Sequence, residues 1–217
     1  VRANPSAGFS IVSYTGTGSA ATIGHGLNAK PVLNIFKRTG ASTDWLVYTD
    51  TIDGSWDYLV LNSTAAKANT SVFSANSSTF DFSGASNGAN ASGGSTIAYC
   101  FAPVEGYSAF GSYTGNGSSD GPFVFTGFRP KFILIKNADI GSTGYDWYIF
   151  DTERDPYNVS DAYLMPNLTT AELSYAAFDL LSNGFKLRQT GASVNGSGNT
   201  HVFACFAEHP FKTSRAR

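Results

Sequence analysis

The segment Ser13-Tyr14-Thr15-Gly16-Thr17-Gly18 returns at Ser112-Tyr113-Thr114-Gly115-Asn116-Gly117, and the residues downstream of it return as well. Pro31 and Lys37 recur at Pro130 and Lys136, Asp44-Trp45 at Asp146-Trp147, and Tyr58-Leu59 with Asn62 at Tyr163-Leu164 with Asn167. Cys100-Phe101-Ala102 comes back at Cys205-Phe206-Ala207. The offset drifts from 99 to 105 along the chain, so short insertions separate the matches, where loops tolerate them. A chain written twice in this way is expected to fold as two related units, residues 1–106 and 107–217, each large enough for its own core. Only a few residues join the last strand of one to the first strand of the next, which predicts units rigidly joined without a flexible linker.

The hydrophobic segments within each copy are short, rich in aromatic and β-branched residues, and punctuated by glycine. Phe9 to Thr15, Ala21 to Ile23, Val32 to Lys37, Trp45 to Tyr48, Tyr58 to Leu61, Thr79 to Phe82 and Ile97 to Ala102 read as strands in the first unit. Phe132 to Lys136, Trp147 to Phe150, Tyr163 to Met165, Gly184 to Leu187 and Val202 to Ala207 read as strands in the second. Six or seven such strands per unit, with turn signals every 8 to 12 residues, predict an all-β fold of two tandem antiparallel β-sandwiches. The two cysteine strands are apolar at every position, which places them mid-sheet with both faces covered and makes each thiol a small buried hydrophobe. One helical turn is expected between Leu168 and Leu181, where Thr169 caps and Glu172 stands three residues later.

Charged residues make up only 14% of the chain and the net charge is −2, so no field steers nucleic acid or an anionic membrane toward it. No apolar run reaches bilayer length, and membrane insertion is not expected. The chain starts at Val1 without a methionine and is read as a processed product or the C-terminal part of something longer.

The candidate site residues come from two acidic loops and the aromatics. Asp53 and Asp57 flank Trp56, which has no partner in the second copy and is the best candidate for an exposed contact residue. Sugar rings present apolar faces to aromatic side chains, so Tyr48 and Tyr148 join it, with Trp45 and Trp147 more readily taken as core. Asp155 completes the ligand-binding set. Asp151, Glu153 and Asp155 alternate so that a curled loop would bring three carboxylates together, a weak Ca²⁺ candidate because no glycine stands at the turn such a loop needs and Pro156 stiffens its exit. His25, His201 and His209 lack cysteine or glutamate at ligand spacing. No nucleophile elbow, P-loop or dinucleotide fingerprint is present, so no cofactor and no enzymatic activity is expected.

Several stretches resemble the repeated C-terminal module of tail-fibre and other virion structural proteins of tailed bacteriophages. They are Ala7-Gly8-Phe9-Ser10-Ile11-Val12, Tyr14 to Gly18, Gly24-His25-Gly26-Leu27, Val104-Glu105-Gly106-Tyr107, Gly127-Phe128-Arg129-Pro130, Asn183-Gly184-Phe185-Lys186 and Phe206 to Phe211. In that family the module often comes after a concanavalin-like lectin domain. The resemblance implies an extracellular virion-surface location, contacts with other virion proteins and adhesion to host-cell glycans. It also implies a homo-oligomer, with a trimer favoured. An architectural role as capsid decoration or fibre shaft is the alternative, and a glycan depolymerase a third.

Overall fold

The structure, a computed structural model, describes residues 1–208. His209, Pro210, Phe211 and the basic tail, which belong to the stretches carrying the family resemblance, lie outside the described residues. All sheet pairings are antiparallel. Two compact units form, Val1–Asn62 with Lys67–Pro103, and Ser63–Ala66 with the chain from Val104 onward.

The first unit contains β1 (Arg2–Asn4), β2 (Phe9–Thr15), β3 (Ala21–Gly24), β4 (Leu33–Arg38), β5 (Leu46–Thr49), β6 (Asp57–Val60), β7 (Ala68–Asn69), β8 (Phe73–Ala75), β9 (Thr79–Phe82) and β10 (Ser95–Phe101). Seven of them form a sheet in the order β1-β2-β10-β4-β5-β6-β7, and β3-β9-β8 form a second. Alternation sends Val12, Phe36, Tyr48, Ala98 and Cys100 from the large sheet, and Phe73, Phe80 and Phe82 from the small one, into a single core cluster. Phe36 sits at its centre, edge-on to Phe80 at 5.3 Å and to Phe73 and Tyr48 at 5.5 Å, the arrangement that ring quadrupoles prefer.

The second unit contains β11 (Ser108–Thr114), β12 (Phe123–Phe125), β13 (Pro130–Asn137), β14 (Trp147–Asp151), β15 (Ser160–Leu164), β16 (Leu173–Leu181), β17 (Gly184–Leu187), the short helix α1 (Ala192–Asn195) and β18 (Thr200–Ala207). Its eight strands make one sheet in the order β11-β18-β13-β14-β15-β16-β17-β12. Residues 173–181 are therefore strand, correcting the helical turn expected between Leu168 and Leu181. β16 pairs with β15 on one side and β17 on the other, and Ala177, Phe178 and Leu180 enter the core. Ladder hydrogen bonds and burial outweigh a local helical preference worth only tenths of a kcal/mol per residue. The helix α1 instead falls in the Gly/Ser/Asn-rich stretch between β17 and β18.

Corresponding residues of the two units hold corresponding pairings. Cys100 lies opposite Ser10 and Asn34, and Cys205 opposite Ala109 and Ile133, partners that stand 99 residues further on. Both thiols are free and fully buried, in separate clusters. β18 is buried on both faces from Val202 to Cys205, as expected. β10 departs from that expectation: Ile97, Tyr99 and Phe101 on its second face are only half-buried, with Tyr99 stacked on Trp45 at 6.3 Å and Phe101 packed on Phe9 at 4.8 Å.

The repeated Tyr-Thr-Gly-x-Gly segment is a clasp closed by a buried asparagine. In the first unit Asn90 accepts at Oδ1 from Thr17 N (2.9 Å) and donates from Nδ2 to Ser19 O (2.7 Å) and Gly84 O (2.9 Å). In the second, Asn195 accepts from Asn116 N (2.9 Å) and donates to Ser118 O (2.8 Å) and Gln189 O (2.6 Å). Tyr14 and Tyr113 each donate their hydroxyl at 2.6 Å to the carbonyl preceding that asparagine. A Cβ at Gly16 would stand 2.4 Å from Ala91 O, and one at Gly115 2.3 Å from Gly196 O, so only glycine admits the opposing backbone here.

Candidate functional site

Cross-strand register builds the floor of a cleft in the first unit. Leu46 lies opposite Val60 and Tyr48 opposite Tyr58, and residues two apart on a strand share a face, so the four side chains form one patch. Thr70 and Val72 stand on one side of it and Ala85, Ser86, Asn87 and Gly88 on another, with Ser42, Thr43 and Asp44 at the end. The open space is about 510 Å³, within the ~300–1,000 Å³ usual for small-molecule sites.

The walls are held by bonds of a kind that recur in both units. Asn90, by bonding Gly84 O and Thr17 N, ties the start of the 85–88 loop to the glycine turn. Asn90 N also donates to Ser86 O at 2.6 Å, closing the loop on itself. At the other end Asn62 donates from Nδ2 to Asp44 Oδ1 (3.0 Å) and accepts from Trp45 N (2.8 Å), while Lys37 Nζ donates to Thr43 O. Asn167 makes the same two bonds to Asp146 and Trp147 N, at 2.6 and 3.0 Å. The cleft is therefore shaped before any ligand arrives.

Within it, Tyr48 Oη and Ser86 Oγ are hydrogen-bonded at 3.1 Å, and Tyr48 stacks on Phe73 at 4.5 Å. Burial raises the pKa of the Tyr48 phenol; its bond to Ser86 opposes this only in part. It stays neutral, a hydroxyl that can donate or accept. The lining thus combines an aromatic and aliphatic floor with a rim of hydroxyls, one amide and one carboxylate. Nothing in it pairs a nucleophile with a base.

The second unit differs at two points. Where Leu46 stands, it carries Tyr148, opposite Ile135 as Leu46 is opposite Phe36. The sequence places Tyr148 among the ligand contacts. Its ring is instead 9% exposed, 5.4 Å from Tyr163, and its hydroxyl donates to Gly144 O at 3.0 Å. In addition, β16 runs unbroken where the first unit interrupts its chain between β7 and β8. Thr70 and Val72 line the cleft at that interruption.

The other predicted residues lie apart from the cleft. Asp53 and Asp57 both pair with Lys67, at 2.5 and 3.0 Å, and Asp57 is fully buried. The Lys67 hydrogen bond, with help from Ser55, holds the Asp53 carboxyl well below its usual range. Trp56, expected to be exposed, is half-buried: its ring meets Phe73 edge-on at 4.8 Å, and Lys30 Nζ sits 5.3 Å from its centroid. Burying its large apolar surface against Phe73 overrides loop position as a guide to exposure.

In the second acidic loop the three carboxylates take three different partners. Asp151 pairs with Arg154, Glu153 with Lys131 at 2.6 Å, and Asp155 accepts from Asp161 N at 2.5 Å. Among the described residues no group of three or more His, Cys, Asp or Glu side chains is placed to hold a metal ion. His25 and His201 are buried, with ring nitrogens bonded to backbone groups.

Of the cleft residues, the sequence singles out only Tyr48 as a contact. Tyr58, Leu46 and Val60 carry a usable signal, the alternation along β5 and β6, but which face opens to solvent depends on the distant 70–72 and 85–88 segments.

Fold and site together define an antiparallel all-β protein with a preformed aromatic and hydroxyl-rimmed cleft. The chain belongs to the DUF7483 family, a domain of unknown function, whose profile matches residues 1–210. No curated protein and no solved structure matches it.

Proposed function

We propose that this chain is a non-enzymatic carbohydrate-binding module and that the first-unit cleft is its sugar site. The observation that carries the reading is the lining itself: Tyr58, Leu46, Val60 and Val72 offer a surface for the apolar face of a pyranose, and Ser42, Thr43, Thr70, Ser86 and Asn87 surround it with donors and acceptors. Saccharide recognition needs that combination, since each sugar hydroxyl removed from water must find a partner. The two units derive from one copied unit in this reading, supported by the shared registers and the two asparagine clasps; the site is assigned to the first because Tyr148 stands where Leu46 lines the cleft.

The resemblance of the sequence to phage tail-fibre modules supports a place on a virion surface, in an oligomer in which several weak sugar contacts add to useful avidity. A glycan array probed with the full chain tests the sugar reading. Wild type is expected to bind, and Leu46→Tyr, which introduces the residue found in the second unit, to lose binding, with cooperative unfolding measured alongside because Leu46 packs closely on Gly88. Tyr58→Ala is expected to weaken binding at least tenfold. Failure of the wild type to bind any host polysaccharide, or undiminished binding by Leu46→Tyr, would overturn the proposal and leave an architectural role. Antibody labelling of intact particles tests the location, and particles that never carry the chain would refute it.

A further inference from the structure

Resting on that reading, the charge balance of the cleft narrows the class of sugar. Thirteen residues line it, and none is lysine, arginine or histidine. Its one formal charge is the Asp44 carboxylate, exposed at the rim and anchored by Asn62. The Tyr48 phenol stays uncharged because it is buried. Two nearby lysines are already engaged: Lys37 Nζ is bonded to the backbone carbonyl of Thr43, itself a lining residue, and lies 5.6 Å from the Trp45 ring centroid. Lys67 is held between Asp53 and Asp57.

We infer that the cleft is charge-selective, accepting neutral and amino sugars and rejecting uronates, sialosides and sulfated sugars. A carboxylate or sulfate entering it would lose hydration over an apolar floor, find no cation among the lining side chains, and approach Asp44. Two like charges at close range in a partly desolvated site disfavour each other. A neutral ring escapes that cost. A protonated sugar amine gains a pairing with Asp44 that, at an exposed rim, is worth a few-fold in affinity.

The test is calorimetry on the full chain with matched oligosaccharides: glucose, galactose and mannose series, each with its uronate and its free-amine counterpart. In the series that binds, the uronate is expected to bind at least tenfold more weakly than the neutral sugar, and the amine a few-fold more tightly. Asp44→Asn, which keeps the acceptor for Asn62, should erase the advantage of the amine; Asp44→Lys should recover uronate binding. Uronate binding equal to neutral binding in the wild type would overturn the inference while leaving the cleft as a sugar site. Binding that persists in Leu46→Tyr with the same charge preference would instead overturn the placement of the site.

Discussion

Replacing Asn90 by alanine removes its three short hydrogen bonds at once, those to Thr17 N, Ser19 O and Gly84 O, besides a longer one from Thr17 Oγ1 at 3.4 Å, from a side chain with no exposed surface. At roughly 1 kcal/mol net per bond the loss is about 3 kcal/mol, with more expected wherever a stranded group stays buried. For a unit of this size each kcal/mol moves the midpoint by roughly 4–8 °C, so the transition of the first unit should fall by roughly 12–24 °C. Differential scanning calorimetry and urea unfolding measure it directly. Asn90→Asp is a sharper probe: it keeps the acceptor for Thr17 N but sets oxygen against oxygen at Ser19 and Gly84, so its loss should match or exceed that of alanine. Asn195→Ala should do the same to the second unit. A loss below about 1 kcal/mol for Asn90→Ala, the range of ordinary surface changes, would refute the idea that the asparagine closes the turn.

The same geometry sets three other outcomes. Gly16→Ala should destabilise by more than about 2 kcal/mol, because its Cβ meets Ala91 O at 2.4 Å, whereas Gly40→Ala, with nothing within 4 Å, should stay within about 0.5 kcal/mol of wild type. Burial lowers the Lys136 pKa to about 8, with Asp146 opposing. The folded state then holds this lysine neutral at a pH where the unfolded chain still binds the proton, so the lysine's own contribution to stability rises from pH 8 toward 10, while the buried thiols and phenols, whose pKa values are raised, pull the other way. Urea midpoints across that range should show the wild type gaining on Lys136→Met as the pH rises. The Cys100 thiol is pushed up to about 12 by burial and Cys205 is also raised; both should resist a thiol reagent in the folded chain and react after denaturation.

Much of the fold is legible in the sequence because its signals are local. Alternation along Thr79-Phe80-Asp81-Phe82 and the glycine turns after Thr15 and Thr114 each mark a strand or its end without reference to the rest of the chain. The strand at Leu173–Leu181 is not legible, since its character comes from β15 and β17 on either side. The site is harder for the same reason. Trp56 sits in a loop next to two acids, which suggests exposure, yet Phe73 and Lys30 arrive from elsewhere to cover it. Leu46 and Tyr148 occupy matching positions, yet Leu46 lines the cleft while Tyr148 is buried with its hydroxyl on Gly144 O, a difference set by neighbours and not by the strand's own pattern. The repeated Asn90 and Asn195 are visible as an echo in the sequence, but nothing local tells an asparagine that closes a turn from one that is solvated.

Amide chemical-shift mapping during titration with the best-bound neutral oligosaccharide locates the site. Perturbations are expected only at residues 42–46, 58–60, 70–72 and 85–88, and none in Leu46→Tyr. Shifts centred on Trp56 or on residues 151–155, with the cleft residues unmoved, would contradict the cleft as the sugar site.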